Sequence, residues 1–151
     1  MGQLPNWIMA IASVVMAIGV LLAWWQIRLA KLQATTRFED DIAREYRELI
    51  FRLPIEALLG KPLDEKEYLE SLDELFHYID LTNEEIFLRQ QGRISRETWI
   101  YWLDGIKSNL SRPAFKKAWE EIKSQTDDIF LELRQLEASG FKADPLEWEK
   151  S

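Results

Sequence analysis

Apolar and polar positions divide this chain at Gln26. From Trp7 to Trp25 no residue is charged, and Ser13 is the only hydroxyl. An α-helix rises about 1.5 Å per residue, so about 20 apolar residues cross a hydrocarbon core roughly 30 Å thick. A helix also satisfies its own backbone polar groups, as lipid requires. Residues 7–26 therefore read as a transmembrane helix. Trp7 stands at one end and Trp24-Trp25 at the other, where amphipathic rings favour the headgroup zone.

Beyond the span the pattern changes to helical amphipathicity. Ile27, Ala30, Ala34, Phe38, Ile42, Tyr46, Leu49 and Leu53 recur in steps of three or four, and neither Pro nor Gly interrupts Val20 to Leu53. The span is expected to run on as one long helix, weakest at the β-branched pair Thr35-Thr36. Pro54 stops it, and Gly60-Lys61-Pro62 is a clear break. Asp64 with Glu67 reads as an N-cap and its N3 partner. Leu69, Leu72, Phe76 and Ile79 begin the next stripe, which Gly92 closes. Thr82 could cap a fresh helix with Glu85 at N3, so one kinked helix and two helices both fit. Ser95 caps a helix carrying Trp99, Trp102, Leu103, Ile106 and Leu110. Ser111-Arg112-Pro113 opens one long helix that ends at Gly140 and carries Phe115, Ala118, Trp119, Ile122, Ile129, Phe130, Leu133 and Leu136.

The expected architecture is all-α. Residues 1–6 form a short extracytoplasmic N-terminus and residues 7–26 the span. Residues 27–140 form a cytosolic bundle of four or five helices, and residues 141–151 a loose tail with Phe141, Leu146 and Trp148 as docking residues.

Charge sets the orientation. The 19 basic and 26 acidic side chains all lie at or beyond Arg28, giving a net charge of −7. Arg28, Lys31 and Arg37 follow the span closely, and positive charge is retained inside. The expected topology is N-terminus out and C-terminus in, across a bacterial inner membrane. The membrane interface is assigned to Trp7, Trp24, Trp25, Arg28 and Lys31. A cleaved signal peptide is the rival reading. It lacks a basic leading segment here, and a cut after Ala17-Ile18-Gly19 would leave a further apolar run with two Trp.

An acidic soluble part argues against direct nucleic-acid binding through a broad basic surface. With no cysteine there is no disulfide framework or thiolate chemistry. A single histidine rules out a histidine-rich metal site within one chain. Asp73, His77, Asp80 and Glu84 would share one face of a continuous helix, a metal-ligand spacing that also suits a solvated flank. No Gly-rich phosphate loop, nucleophile elbow or HExxH occurs. Catalytic residues, metal and cofactor are all expected to be absent. Trp99, Tyr101, Trp102 and Trp119 read as core before aromatic ligand site. Asp80, Asn83, Arg89 and Arg112 are the expected buried polar network, of a kind that fixes geometry more often than it does chemistry.

Small residues recur at four-residue spacing in the span, Ser13 with Ala17 and Gly19 with Ala23. Such pairs let helix backbones approach closely. The expected partners are membrane lipid, further copies of the chain and a cytosolic protein.

The stretches Phe38-Glu39-Asp40-Asp41, Arg44-Glu45-Tyr46-Arg47 and Asp80-Leu81-Thr82-Asn83-Glu84, with Gly92, Trp99 and Trp102, resemble a bacterial family of uncharacterised membrane-anchored helical proteins. Their plan is similar to that of membrane accessory proteins of CRISPR-type immunity, some of them similar to HEPN ribonuclease domains. The Arg-spacer-His signature of those ribonucleases is missing, since the nearest Arg before His77 is Arg52. The resemblance implies architecture and no active site. The small-residue seam, the uninterrupted helix leaving the membrane and a domain without catalytic signatures point to a non-enzymatic, self-associating membrane protein, a pore-forming or membrane-perturbing effector in antiviral defence. The alternative is a tethered adaptor, and a weaker third reading is a ligand sensor with a pocket around Asp80, Asn83 and Arg89.

Overall fold

A computed structural model describes residues 5–148, and the described residues are all-helical, with seven α-helices and no strand. The chain divides between Thr36 and Arg37 into two compact units.

The first unit belongs to α1 (Asn6–Ile50), a helix long and apolar enough to cross a membrane. Trp7, Val14, Val15, Val20, Leu21, Trp24 and Trp25 are all exposed. Ser13 Oγ donates to the Met9 carbonyl at 2.9 Å, so its hydroxyl is satisfied within its own helix. The Arg28 guanidinium lies 5.6 Å from the Trp24 ring centre, a cation–π contact between two residues of the expected interface. Helical structure continues without a break through Thr35 and Thr36. Their hydroxyls bond back to the carbonyls of Lys31 and Leu32, both at 3.2 Å. This back-bonding satisfies both hydroxyls within the helix, at a slight cost to helix stability.

The second unit takes the end of α1 and six further helices: α2 (Ile55–Leu58), α3 (Glu65–Glu70), α4 (Leu72–Gln90), α5 (Arg96–Leu110), α6 (Pro113–Gln125) and α7 (Leu131–Ala138). Ile42, Leu49 and Leu53 are buried, so the stripe read along α1 is a core face from Ile42 onward. The Asp64 and Glu67 capping box forms in full: Glu67 N donates to Asp64 Oδ1 at 2.8 Å, and Asp64 N to Glu67 Oε2 at 3.0 Å. Gly60, Gly92 and Gly140 take φ of 75°, 70° and 67°. Each closes a helix with paired bonds from the glycine N–H and the next residue's N–H, as Gly92 to the Arg89 carbonyl and Arg93 to the Leu88 carbonyl, both 2.9 Å.

The stretch from the Asp64 cap to Gly92 is two helices, but it divides at Ser71, between α3 and α4, and runs unbroken through Thr82. Thr82 is buried in mid-α4 and caps nothing. α4 is the central element, packed against α6, α7 and the tail.

Two expectations fail. The long last helix is two helices. Thr126 is extended, and Phe130 adopts a left-handed conformation with φ 55°. Ser124, Thr126, Asp127 and Asp128 are weak helix formers, because their side chains compete for backbone partners. Arg134 then holds the loop: its Nε donates to the Ile129 carbonyl at 2.9 Å and its Nη2 to the Thr126 carbonyl at 2.6 Å. The cost of the left-handed backbone is offset by the buried Phe130 ring, which meets Phe76 edge-on at 5.4 Å and Trp119 at 6.4 Å.

The tail is not loose. Pro145–Glu147 form a single 3-10 turn against α4, with Pro145 buried, and Phe141 and Trp148 pack on the core. Leu146, the third expected docking residue, is largely exposed.

Candidate functional site

The expected polar network is not one network. Asp80 is exposed and takes no part in it. The other three residues form separate clasps. Asn83 joins α4 to α7: its Nδ2 donates to Glu132 Oε2 at 2.8 Å, and its Oδ1 accepts from Leu133 N at 3.0 Å. Phe130, the residue at the N-cap of α7, has no side chain able to accept, so Asn83 supplies that bond from another helix. Arg89 joins α4 to the tail. Its Nε and Nη2 donate to the two Asp144 oxygens at 2.8 and 2.6 Å, and its Nη1 donates to the Ile94 carbonyl at 2.9 Å. The paired guanidinium holds the Asp144 carboxyl below its ordinary range.

Arg112 belongs to a third group that sequence reasoning missed. Its Nη1 donates to Asn109 Oδ1 at 2.7 Å, and Asn109 Nδ2 donates to the hydroxyls of Tyr46 at 3.2 Å and Tyr78 at 3.1 Å. Asn109 and Tyr78 are buried. These residues line a cavity of about 440 Å³ between α1, α4 and α5. Trp102 and Tyr101 add aromatic surface, the latter largely exposed. Arg47 lies on its wall and makes no ion pair among the described residues.

Glu85 is the most unusual member. It is only 7% exposed, lines the cavity, and makes no side-chain hydrogen bond among the described residues. Burial, and then the neighbouring Glu84, push its pKa from 4.5 up to about 8. At neutral pH the carboxyl is therefore mostly protonated, and offers one donor and one acceptor side by side. Burial, and then Glu85, also push the Tyr78 phenol up, so it too stays neutral. The signal for Glu85 was present: it falls in step with Tyr78, Leu81 and Leu88, all buried, on the packed face of α4. Asn109 carried the same mark, in step with Trp99, Trp102 and Ile106 on the packed face of α5.

Of the four aromatic residues read as core, Trp99 and Trp119 are buried and Trp102 is partly so, whereas Tyr101 is in solvent. Trp119 Nε1 is buried without a hydrogen-bond partner among the described residues. Lys123 and Arg134 lie over its ring, 5.4 and 5.5 Å from the centre. His77 Nε2 stands 3.2 Å from Glu45 Oε1, while Asp73, Asp80 and Glu84 are exposed. Among the described residues no group of acidic and histidine side chains is placed to hold a metal ion.

In the apolar stretch of α1, Ser13, Ala17, Gly19 and Ala23 are all exposed, and a Cβ added at Gly19 would meet nothing within 4 Å. No other part of the described chain explains a glycine there. Lys31, the last of the expected interface residues, is exposed as well.

Comparison with protein-family profiles, with curated proteins and with solved structures finds no match for this chain.

Proposed function

We propose that the chain is a non-enzymatic, single-pass protein of the bacterial inner membrane that self-associates through its span. Its N-terminus lies outside and its helical domain in the cytoplasm. The observation that carries this reading is the exposed apolar stretch of α1 with Gly19 on it, where an added Cβ would meet nothing within 4 Å. A helix-interior glycine costs roughly 1 kcal/mol relative to alanine in water, and a close helix neighbour is one thing it gains in return.

Helical geometry adds the number of neighbours. At 3.6 residues per turn the Ser13-Ala17 pair and the Gly19-Ala23 pair lie roughly 120° apart around the helix. Two seams on different sides suit a helix touched by two others, as in a closed ring, better than a symmetric pair. A ring would be a pore or membrane-perturbing assembly, which is the output of the antiviral-defence reading. Its lumen would be apolar apart from Ser13, and it would gate by dewetting.

The adaptor reading has its own support. Phe51, Ile55 and Leu59, around the turn from α1 to α2, are 86%, 64% and 64% exposed. Large apolar side chains left in water at neighbouring positions favour a protein partner.

The mass of the full chain in nanodiscs, by native mass spectrometry, tests the first reading. A discrete oligomer of more than two copies is expected, with Gly19→Leu and Ser13→Leu each dispersing it. A strict monomer sinks self-association. If an unrelated span restores full function in cells, the adaptor reading replaces the ring.

A further inference from the structure

We infer that the cavity between α1, α4 and α5 is a binding site for a small planar heterocyclic anion of the mononucleotide class. This inference is independent of how the span assembles.

Size comes first. About 440 Å³ falls within the range of pockets that enclose a drug-sized molecule. The chemistry of the lining is then specific. Glu85 is a largely buried residue on the cavity wall, and its carboxyl makes no side-chain hydrogen bond among the described residues. Its neutral carboxyl carries a donor beside an acceptor. Nucleobases present the complementary pair on one edge, an N–H beside a carbonyl oxygen or ring nitrogen. A ligand of this kind would satisfy both carboxyl oxygens at once.

The tyrosine hydroxyls add to this. Both accept from Asn109 Nδ2 at the cavity wall, and the Tyr46 hydroxyl keeps its own hydrogen to donate. Asn109 is itself fixed by Arg112, which keeps this polar wall in one geometry.

The mouth of the site takes the rest of the ligand. Tyr101 and Trp102 offer faces on which a planar ring can stack. Arg47 and Arg112 provide two guanidinium groups on the wall, against one rim acid, Asp104. With Glu85 neutral the site is cationic, in a chain of net charge −7. An anionic group such as a phosphate has its place there.

The test is calorimetric titration of the full chain in nanodiscs with GMP, AMP, UMP and CMP, using ribose 5-phosphate and the free nucleosides as controls. At least one nucleotide should bind with a Kd below about 1 mM, and more tightly than its nucleoside or ribose 5-phosphate. Arg47→Ala should weaken it at least about fivefold, and Glu85→Leu at least about tenfold. Glu85→Gln, which keeps a donor and an acceptor, should stay within about threefold. If Glu85→Leu does not fold, Arg47→Ala and Tyr101→Ala carry the same test at exposed positions. The inference is overturned if none of the four nucleotides binds. It is equally overturned if binding is unchanged in folded variants of Arg47 and of Glu85 or Tyr101.

Discussion

Glu85→Gln keeps the shape of a buried side chain and removes its ionisation. In the folded chain the carboxyl titrates near 8, against an ordinary value of 4.5. The sign follows from proton binding. Between those values the folded state holds a proton that the unfolded state has released, so folding loses stability as pH rises. The stabilising contribution of the neutral carboxyl is complete below pH 4.5 and gone above about 8. Each pH unit in that window is worth about 1.4 kcal/mol, which gives a loss of about 3 kcal/mol from pH 5.5 to 8.5. The glutamine variant carries no such loss. Urea unfolding of both proteins in the same mild detergent, followed by far-ultraviolet circular dichroism, measures the difference. Taking wild type minus variant cancels the other titrating groups. The gap should move toward the variant by about 3 kcal/mol between the two pH values. A gap that is the same at pH 5.5 and 8.5 would refute the raised titration of this carboxyl.

Three further outcomes follow from the clasps. Asn83→Ala should cost about 1–2 kcal/mol in urea unfolding, because α7 loses its borrowed cap; hydrogen exchange should rise first in Leu131–Ala138, and unchanged protection there would contradict the capping role. Phe130→Ala should cost about 3–5 kcal/mol through the lost ring. Phe130→Gly should be less damaging than Phe130→Ala by about 1 kcal/mol, since glycine accepts φ 55° without strain; the reverse order of unfolding midpoints would show that the backbone rearranges. Asp144→Asn should flatten the acid limb of stability. The carboxyl of Asp144 is held below its ordinary 3.8, so its contribution is present above that pH and lost as pH falls through the lower folded value; an acid limb identical to wild type would count against the Arg89 pair.

The sequence by itself determined every feature that depends on local periodicity and capping. The apolar run from Trp7, the stripe along α1, the capping box of Asp64 and Glu67, the Ser95 cap and the closing glycines Gly60, Gly92 and Gly140 are set by neighbours within a few residues. Those interactions act over a turn of helix, so they are written in adjacent letters. Tertiary structure decided the rest. Pro113 to Ala138 carries one helical period, yet the chain breaks at Thr126–Phe130, because Arg134 and the ring contacts of Phe130 reward a loop that propensity only permits. The tail read as loose with three apolar docking residues, and it is held because Arg89, fifty-five residues from Asp144, has a guanidinium to pair. The four residues read as a network are dispersed because helix periodicity gives the face of each side chain but not which helix lies opposite it. Glu85, Asn109, Tyr46 and Tyr78 meet for the same reason: three elements distant in sequence pack around one cavity, and only packing brings their polar atoms together.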